Sequence, residues 1–323
     1  MRRTLAGFVV LVLVLGLVTA AAAPRPDPAR DYLLNALGLL RTYSIDRDFV
    51  DWPAVEAEAL RRTTGVTAPA GTYSAIRTVI AELGNPHTRL IGPAQAVPAP
   101  PASIEVPSSR TLGDVAVLTV PEFHQDPADE RRYVAAGIAA AQSAEARRPC
   151  GWIVDLRDNG GGDMVPMLTV VAPLLDEGVL GSFKGLDGAA SWILRAGRVL
   201  VPGRLAVDPV NPLRLAGPRP PVAVLTSART GSSGEATLIA FRGLARATTF
   251  GQATAGFATG NAVFRLSDGA ELVVTTVQEM DLAGRVYGNT PIEPDHPLPA
   301  TATTDEVIAA ASAWLHTQPG CTR

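Results

Sequence analysis

From residue 113 onward, short apolar runs alternate with longer apolar or alanine-rich stretches, and this alternation restricts the fold more than any other feature of the chain. Val115–Val120, Trp152–Leu156 and Val222–Thr226 carry β-branched residues, are too short for helices and read as buried strands. Ala128–Arg147, Met164–Leu175 and Ala236–Leu244 follow them and read as helices. Strands separated by crossover helices build an α/β sheet. Asn261–Leu266 and Glu271–Thr276 flank Ser267-Asp268-Gly269, a turn signal, and read as an antiparallel hairpin. Asp305–His316 reads as a closing helix.

The segment before this region has a different character. Asp31–Thr42 has apolar residues at helical spacing, Asp51 and Pro53 are start signals for Ala54–Arg62, and Tyr73–Leu83 ends at Gly84. Three short helices of this kind make a small N-terminal bundle. Residues 91–109 hold five prolines and little periodicity, as a linker does. The expected division is therefore a leader over residues 1–22, a helical subdomain over 23–90, a proline-rich linker over 91–112 and an α/β core over 113–323.

The leader is Arg2-Arg3, an apolar run from Leu5 to Val18, then Thr19 and a group of alanines, the pattern of a secretory signal peptide cleaved after Ala22. It predicts a secreted, periplasmic or cell-envelope protein, membrane-attached only if the leader stays uncleaved. In an exported chain the two cysteines, Cys150 and Cys321, are expected to pair. A net charge of −3 offers no basic surface for nucleic acid. No two of the four histidines have helical metal-ligand spacing and there is no CxxC, so neither a metal nor any other cofactor is expected. Lys184 is the single lysine in the chain.

Three motifs carry chemistry. Ser232 lies in Thr230-Gly231-Ser232-Ser233-Gly234-Glu235, directly between a strand and a helix. A hydroxyl placed there sits beside unpaired backbone N–H groups, which is what a serine nucleophile needs to hold an oxyanion. Ser232-x-x-Glu235 is equally a capping box, in which the serine bonds the helix end and the glutamate reaches back. The strand Trp152–Leu156 runs into Asp155-Leu156-Arg157-Asp158-Asn159-Gly160-Gly161-Gly162, where glycines let backbone N–H groups approach a ligand. His87 lies in Leu83-Gly84-Asn85-Pro86-His87-Thr88-Arg89-Leu90.

In this order the motifs resemble the tail-specific, C-terminal processing family of serine peptidases. The match continues through Gly251-Gln252-Ala253-Thr254-Ala255-Gly256 and Glu293-Pro294-Asp295, and covers residues 30–300. The resemblance implies a crotonase-like (ββα) α/β core beside the N-terminal helices, with residues 113–323 as the peptidase part, acting on a peptide or protein substrate. It makes Ser232 the nucleophile and assigns the oxyanion to the N–H of Ser233 with that of Gly160 or Gly161.

Many members use a lysine base at the position held here by Phe257. Lys184 lies elsewhere, so the chain is more similar to the branch typified by tricorn protease, in which a histidine is the base; His87 occupies that motif. The glutamate that orients this histidine has no clear counterpart, which leaves Glu279 or Glu293 as candidates. The interval between His87 and the Asp155 strand has no room for a PDZ domain. A catalytically silent ligand- or peptide-binding protein on the same fold is the alternative reading. An acyl-thioester enzyme of the related crotonase fold would need a nucleotide-phosphate site that an exported chain has little use for.

Overall fold

The computed structural model describes residues 27–95, 104–124, 127–204, 210–217 and 219–321, so the leader lies outside the described residues. Its helices are α1 (Pro28–Tyr43), α2 (Trp52–Arg62), α3 (Tyr73–Glu82), α4 (Pro127–Glu145), α5 (Met164–Val171), α6 (Ser233–Ile239) and α7 (Thr304–Leu315). Its strands are β1 (Arg89–Ile91), β2 (Ser108–Leu112), β3 (Val115–Thr119), β4 (Gly151–Asp155), β5 (Gly178–Gly185), β6 (Gly188–Arg195), β7 (Arg198–Leu200), β8 (Val222–Thr226), β9 (Ala247–Gly251), β10 (Thr259–Arg265), β11 (Glu271–Met280) and β12 (His296–Pro297).

The apolar runs assemble as the alternation requires. One six-stranded sheet has the order β12-β9-β8-β4-β3-β2, parallel throughout except for β2 at its edge. Successive side chains of a strand point to opposite faces, and the core divides accordingly. Ala116, Leu118, Trp152, Val154, Val222 and Val224 face α4, α5 and α6. Val115, Val117, Ile153, Ala223 and Leu225 face Val307, Ile308, Ala311 and Leu315 of α7. With both faces covered, these strands must be apolar at every position, which is why they read so clearly.

A second, antiparallel sheet has the order β1-β11-β5-β6-β7, with β10 also pairing β11. Apart from β1, which precedes β2, its strands are inserted between those of the parallel sheet: β5–β7 between β4 and β8, β10 and β11 between β9 and β12. Trp192, Leu194 and Val199 of this sheet join the core under α5 and α6. The three N-terminal helices do not close a core of their own. Leu33, Leu37, Leu40, Ile76 and Val79 pack on Leu90, Leu272 and Val274, so the bundle is a layer on the antiparallel sheet. The segment read as a proline-rich linker contains β2, whose Ser108–Leu112 extends the parallel sheet beyond β3.

Cys150 and Cys321 form a disulfide with a Cα–Cα distance of 4.7 Å, joining the start of β4 to the turn after α7. Cys321 is buried against the face that α7 covers. The bridge closes a loop spanning 171 residues, for which chain entropy suggests about 5 kcal/mol of stabilisation. Cys150→Ser/Cys321→Ser is expected to lose most of that in urea unfolding monitored by circular dichroism. A loss below about 1 kcal/mol would show that α7 holds the tail unaided.

Candidate functional site

The carboxyl ends of β4 and β8 are neighbours in the parallel sheet, and each runs into one of the motif loops. Ligands bind at such ends in open α/β sheets. The two loops are stitched together. Thr230 Oγ1 donates to Leu156 O at 2.8 Å, Gly231 N–H to Asn159 O at 3.0 Å and Ser233 Oγ to Gly162 O at 2.6 Å. Buried Asn159 completes the join, its amide nitrogen donating to Val120 O at 3.0 Å and Pro121 O at 3.2 Å.

Ser232 stands on this platform with φ 50° and ψ −120°. That backbone is sparsely populated for a residue with a side chain, and it persists only where the surroundings dictate it. Here the constraint comes from Glu235. Ser232 and Glu235 form a capping box: Ser232 N–H donates to Glu235 Oε2 at 2.9 Å and the Glu235 N–H faces the Ser232 side chain, whose own hydroxyl proton is donated to no protein atom among the described residues. Phe257 N–H also donates to Glu235 Oε2, at 2.7 Å, while Gly256 N–H (3.0 Å) and the Thr254 hydroxyl donate to Oε1. Glu235 therefore ties the serine turn to residues 254–257. Burial holds its carboxyl above the ordinary range, against the opposing pull of the four donors.

His87 enters from the antiparallel sheet, in the turn between α3 and β1. Asn85 Oδ1 accepts the His87 N–H at 3.0 Å and so fixes that turn. His87 Nδ1 lies 2.7 Å from Thr259 Oγ1, Nε2 lies 3.0 Å from Asn261 Nδ2, and the ring packs 5.1 Å from Phe257. Burial, aided by the Arg89 charge, lowers its pKa from 6.5 to about 4. Phe257 is the shared wall: its backbone holds Glu235 and its ring holds His87. Among the described residues, the Ser232 hydroxyl proton and the N–H groups of Ser233 and Gly160 are donated to no protein atom.

Residues 114–298 match the family described as peptidase family S41. The chain belongs to peptidase family S41. It is 26% identical over 295 residues to the nisin-resistance protein of Lactococcus lactis subsp. lactis, covering 91% of this chain and 89% of that one. In fold it is similar to a lipoprotein from Streptococcus agalactiae, with TM-score 0.73, 22% identity and coverage of 93% and 99% of the two chains. The photosystem II D1 C-terminal processing protease follows, with TM-score 0.63, 17% identity and coverage of 91% and 98%. The mixed α/β architecture is shared with these two solved structures.

Several sequence expectations for this S41 site need correction. Gly161 N–H is not available to an oxyanion, because it donates to Asn159 Oδ1 at 3.0 Å. Neither glutamate orients His87, since both ring nitrogens are met by Thr259 and Asn261. Glu279 is buried on β11 with Oε2 unpartnered; burial and the nearby Glu235 charge raise its pKa well above the usual range and keep it protonated. Glu293 is exposed, and its backbone carbonyl accepts from Arg242 at 2.5 Å. Asn261 carries no sequence signal beyond its place at the start of the expected hairpin, and Thr259 lies just outside that hairpin with no signal of its own.

Among the described residues, one grouping has metal-ligand proximity: Asp114, Cys150 and His316. Its sulfur is taken by the disulfide, and His316 Nε2 pairs with Asp114 Oδ1 at 2.9 Å.

Gly161 matters for contact instead. A Cβ there would lie 2.8 Å from Ser232 Cβ and 3.0 Å from Gly231 O, at φ +115°. Gly161→Ala is expected to cost about 2 kcal/mol and to displace the serine turn. Thermal melting would register the first effect and slowed reaction with a serine-directed probe the second. Unchanged values of both would contradict this account of the junction.

Proposed function

We propose that this S41 peptidase is an exported serine enzyme that cleaves peptide or protein tails through an acyl-enzyme, with Ser232 as nucleophile and His87 as general base. One observation supports the reading above others. The Ser232 hydroxyl sits on a strained strand-to-helix turn with its proton donated to no protein atom among the described residues, next to two unclaimed N–H groups. The capping box takes only a lone pair of that oxygen and leaves its proton to be given up.

In the proposed reaction Ser232 Oγ attacks the scissile carbonyl carbon while its proton passes to His87. The carbonyl π electrons move onto oxygen, where the N–H groups of Ser233 and Gly160 accept the charge; losing one such donor typically costs about 3 kcal/mol. Collapse expels the amine, which takes the proton from His87, and water then releases the acyl group by the same steps. No cofactor enters.

Similarity to a nisin-resistance protein and, in fold, to a lipoprotein supports a cell-envelope location, as does the apolar leader. Among the described residues no helix is long and apolar enough to cross a membrane.

A silent binding protein is the competing reading, favoured by the missing hydrogen bond between Ser232 and His87. A fluorophosphonate probe decides between them when combined with hydrolysis of a mixed peptide library read by mass spectrometry. The peptidase reading expects covalent labelling at Ser232 and new peptide termini. Absence of both from pH 5 to pH 9 would rule it out.

A further inference from the structure

A histidine can take a proton from a serine only on a ring nitrogen that carries none, and the neighbours of the ring decide which nitrogen that is. In this chain both neighbours come from β10. An amide nitrogen donates and does not accept, so Asn261 Nδ2, 3.0 Å from Nε2, requires a lone pair on Nε2. The ring proton then belongs to Nδ1 and is donated to Thr259 Oγ1 at 2.7 Å.

The Asn261 amide is oriented in turn. Its Oδ1 accepts the Thr275 hydroxyl at 2.9 Å, which leaves Nδ2 facing the imidazole. Thr275 is fully buried, and Thr88 holds it by two bonds of 3.1 Å. Thr275 Oγ1 is also 3.2 Å from Asn85 Oδ1, the atom that accepts the His87 backbone N–H. Asn85 Nδ2 donates to Asp46 Oδ2 at 2.6 Å, in the turn between α1 and α2. A chain of polar contacts thus starts in the N-terminal helical layer and ends on both the backbone and the ring of one histidine.

We propose that Asn261, with Thr259, sets the tautomer of His87, and that Thr275, Asn85 and Asp46 hold Asn261 in the orientation that does so. The proposal rests on His87 acting as the general base. These residues are positioning residues. At rest Asn261 occupies the Nε2 lone pair. When substrate is attacked, the Ser232 Oγ–H replaces that amide, its proton moves to Nε2, and the oxygen's electron pair forms the bond to the carbonyl carbon. Nδ1–H stays on Thr259 throughout. The three N-terminal helices then have a part in the chemistry, because the far end of the relay is built from them.

The test uses the full chain labelled with nitrogen-15 at its four histidines, the His87 signals being identified by their loss in His87→Gln. At pH 7 the wild type is expected to show protonated Nδ1 and unprotonated Nε2. Asn261→Asp places a proton acceptor at Nε2, so the proton is expected there, and kcat should fall about 100-fold with KM changed less than about twofold. Thr259→Val should lose kcat in the same way, while Thr259→Ser, which keeps the oxygen, should restore it. Unmoved signals from His124, His296 and His316 certify that each variant is folded. A wild type with its proton on Nε2, or an Asn261→Asp variant with the wild-type tautomer, overturns the proposal. Both outcomes are read without turnover. If the wild type cleaves nothing, the peptidase reading fails while the tautomer assignment is still decided.

Discussion

Ser232→Ala is expected to abolish fluorophosphonate labelling and peptide hydrolysis while the protein melts within about 2 °C of the wild type. The two halves of that expectation have the same origin. The hydroxyl donates to no protein atom among the described residues, and its one contact is the helix cap facing the Glu235 N–H, so removing it costs under about 1 kcal/mol. The neighbouring hydroxyls are differently placed. Ser233 Oγ is bound to Gly162 O at 2.6 Å, and Ser227 Oγ donates to Arg157 O while accepting Arg229 N–H at 3.0 Å. Ser233→Ala should therefore lower stability slightly and retain labelling, because the N–H it offers is on the backbone. Labelling that persists in Ser232→Ala and vanishes in Ser233→Ala would move the nucleophile by one residue.

The second large effect concerns pH. An ordinary histidine base would give a rate that rises around pH 6.5. Burial and Arg89 bring His87 down to about 4, so the acid limb of kcat/KM, which reports the free enzyme, is expected near pH 4 with a plateau above about pH 5.5. His87→Ala should remove about 100-fold or more of kcat/KM, and Lys184→Met almost none, since Lys184 lies exposed on β5 opposite Gln278. An acid limb at pH 6.5 would mean that His87 is more hydrated than its surroundings indicate. Loss of activity in Lys184→Met alone would replace the base altogether.

The same shift makes a statement about stability. Unfolded His87 binds a proton near pH 6.5 and folded His87 only near pH 4. Folding is therefore progressively disfavoured as pH falls through that window, and the loss is complete below it. Glu279 runs the other way. Its raised pKa keeps the folded carboxyl protonated, so its contribution is fully present below the unfolded value of 4.5 and is lost as pH rises toward the folded one.

What could be read from the sequence follows from how each part is built. The strands β3, β4 and β8 are buried on both faces, which forces unbroken apolar runs that stand out in any reading. The strands β5 and β6 left no such trace: Gly178, Gly181, Gly185, Gly188, Ala189, Ala190 and Ser191 fill them with residues of low strand preference. Ser232 stands out through the local logic of its strand-to-helix turn, whereas His87 stands out only through the resemblance of its loop motif to that of a peptidase family. Thr259 and Asn261 do not stand out, because a hydroxyl and an amide on alternate positions of a half-exposed strand look like ordinary outward-facing residues. Their meaning comes from a histidine more than 170 residues earlier in the chain. Glu235 was legible as a helix cap, but its bonds to Gly256 and Phe257 were not, since they depend on a loop returning from β9.

The proposed nucleophile is carried by the parallel sheet and the proposed base by the antiparallel one, with the stretch around Phe257 and Ala258 among the contacts that join them. No short covalent path fixes their separation. It is a gauge of how one slab is seated on the other, across a core that Trp192, Leu194 and Val199 share with α5 and α6, so a shift in that seating is expected to lower turnover before either slab unravels. In such a molecule hydrolysis should fade ahead of the circular dichroism signal, and side chains that merely wedge the slabs together, such as Ala258 and Tyr287, become as consequential for turnover as those that touch the substrate.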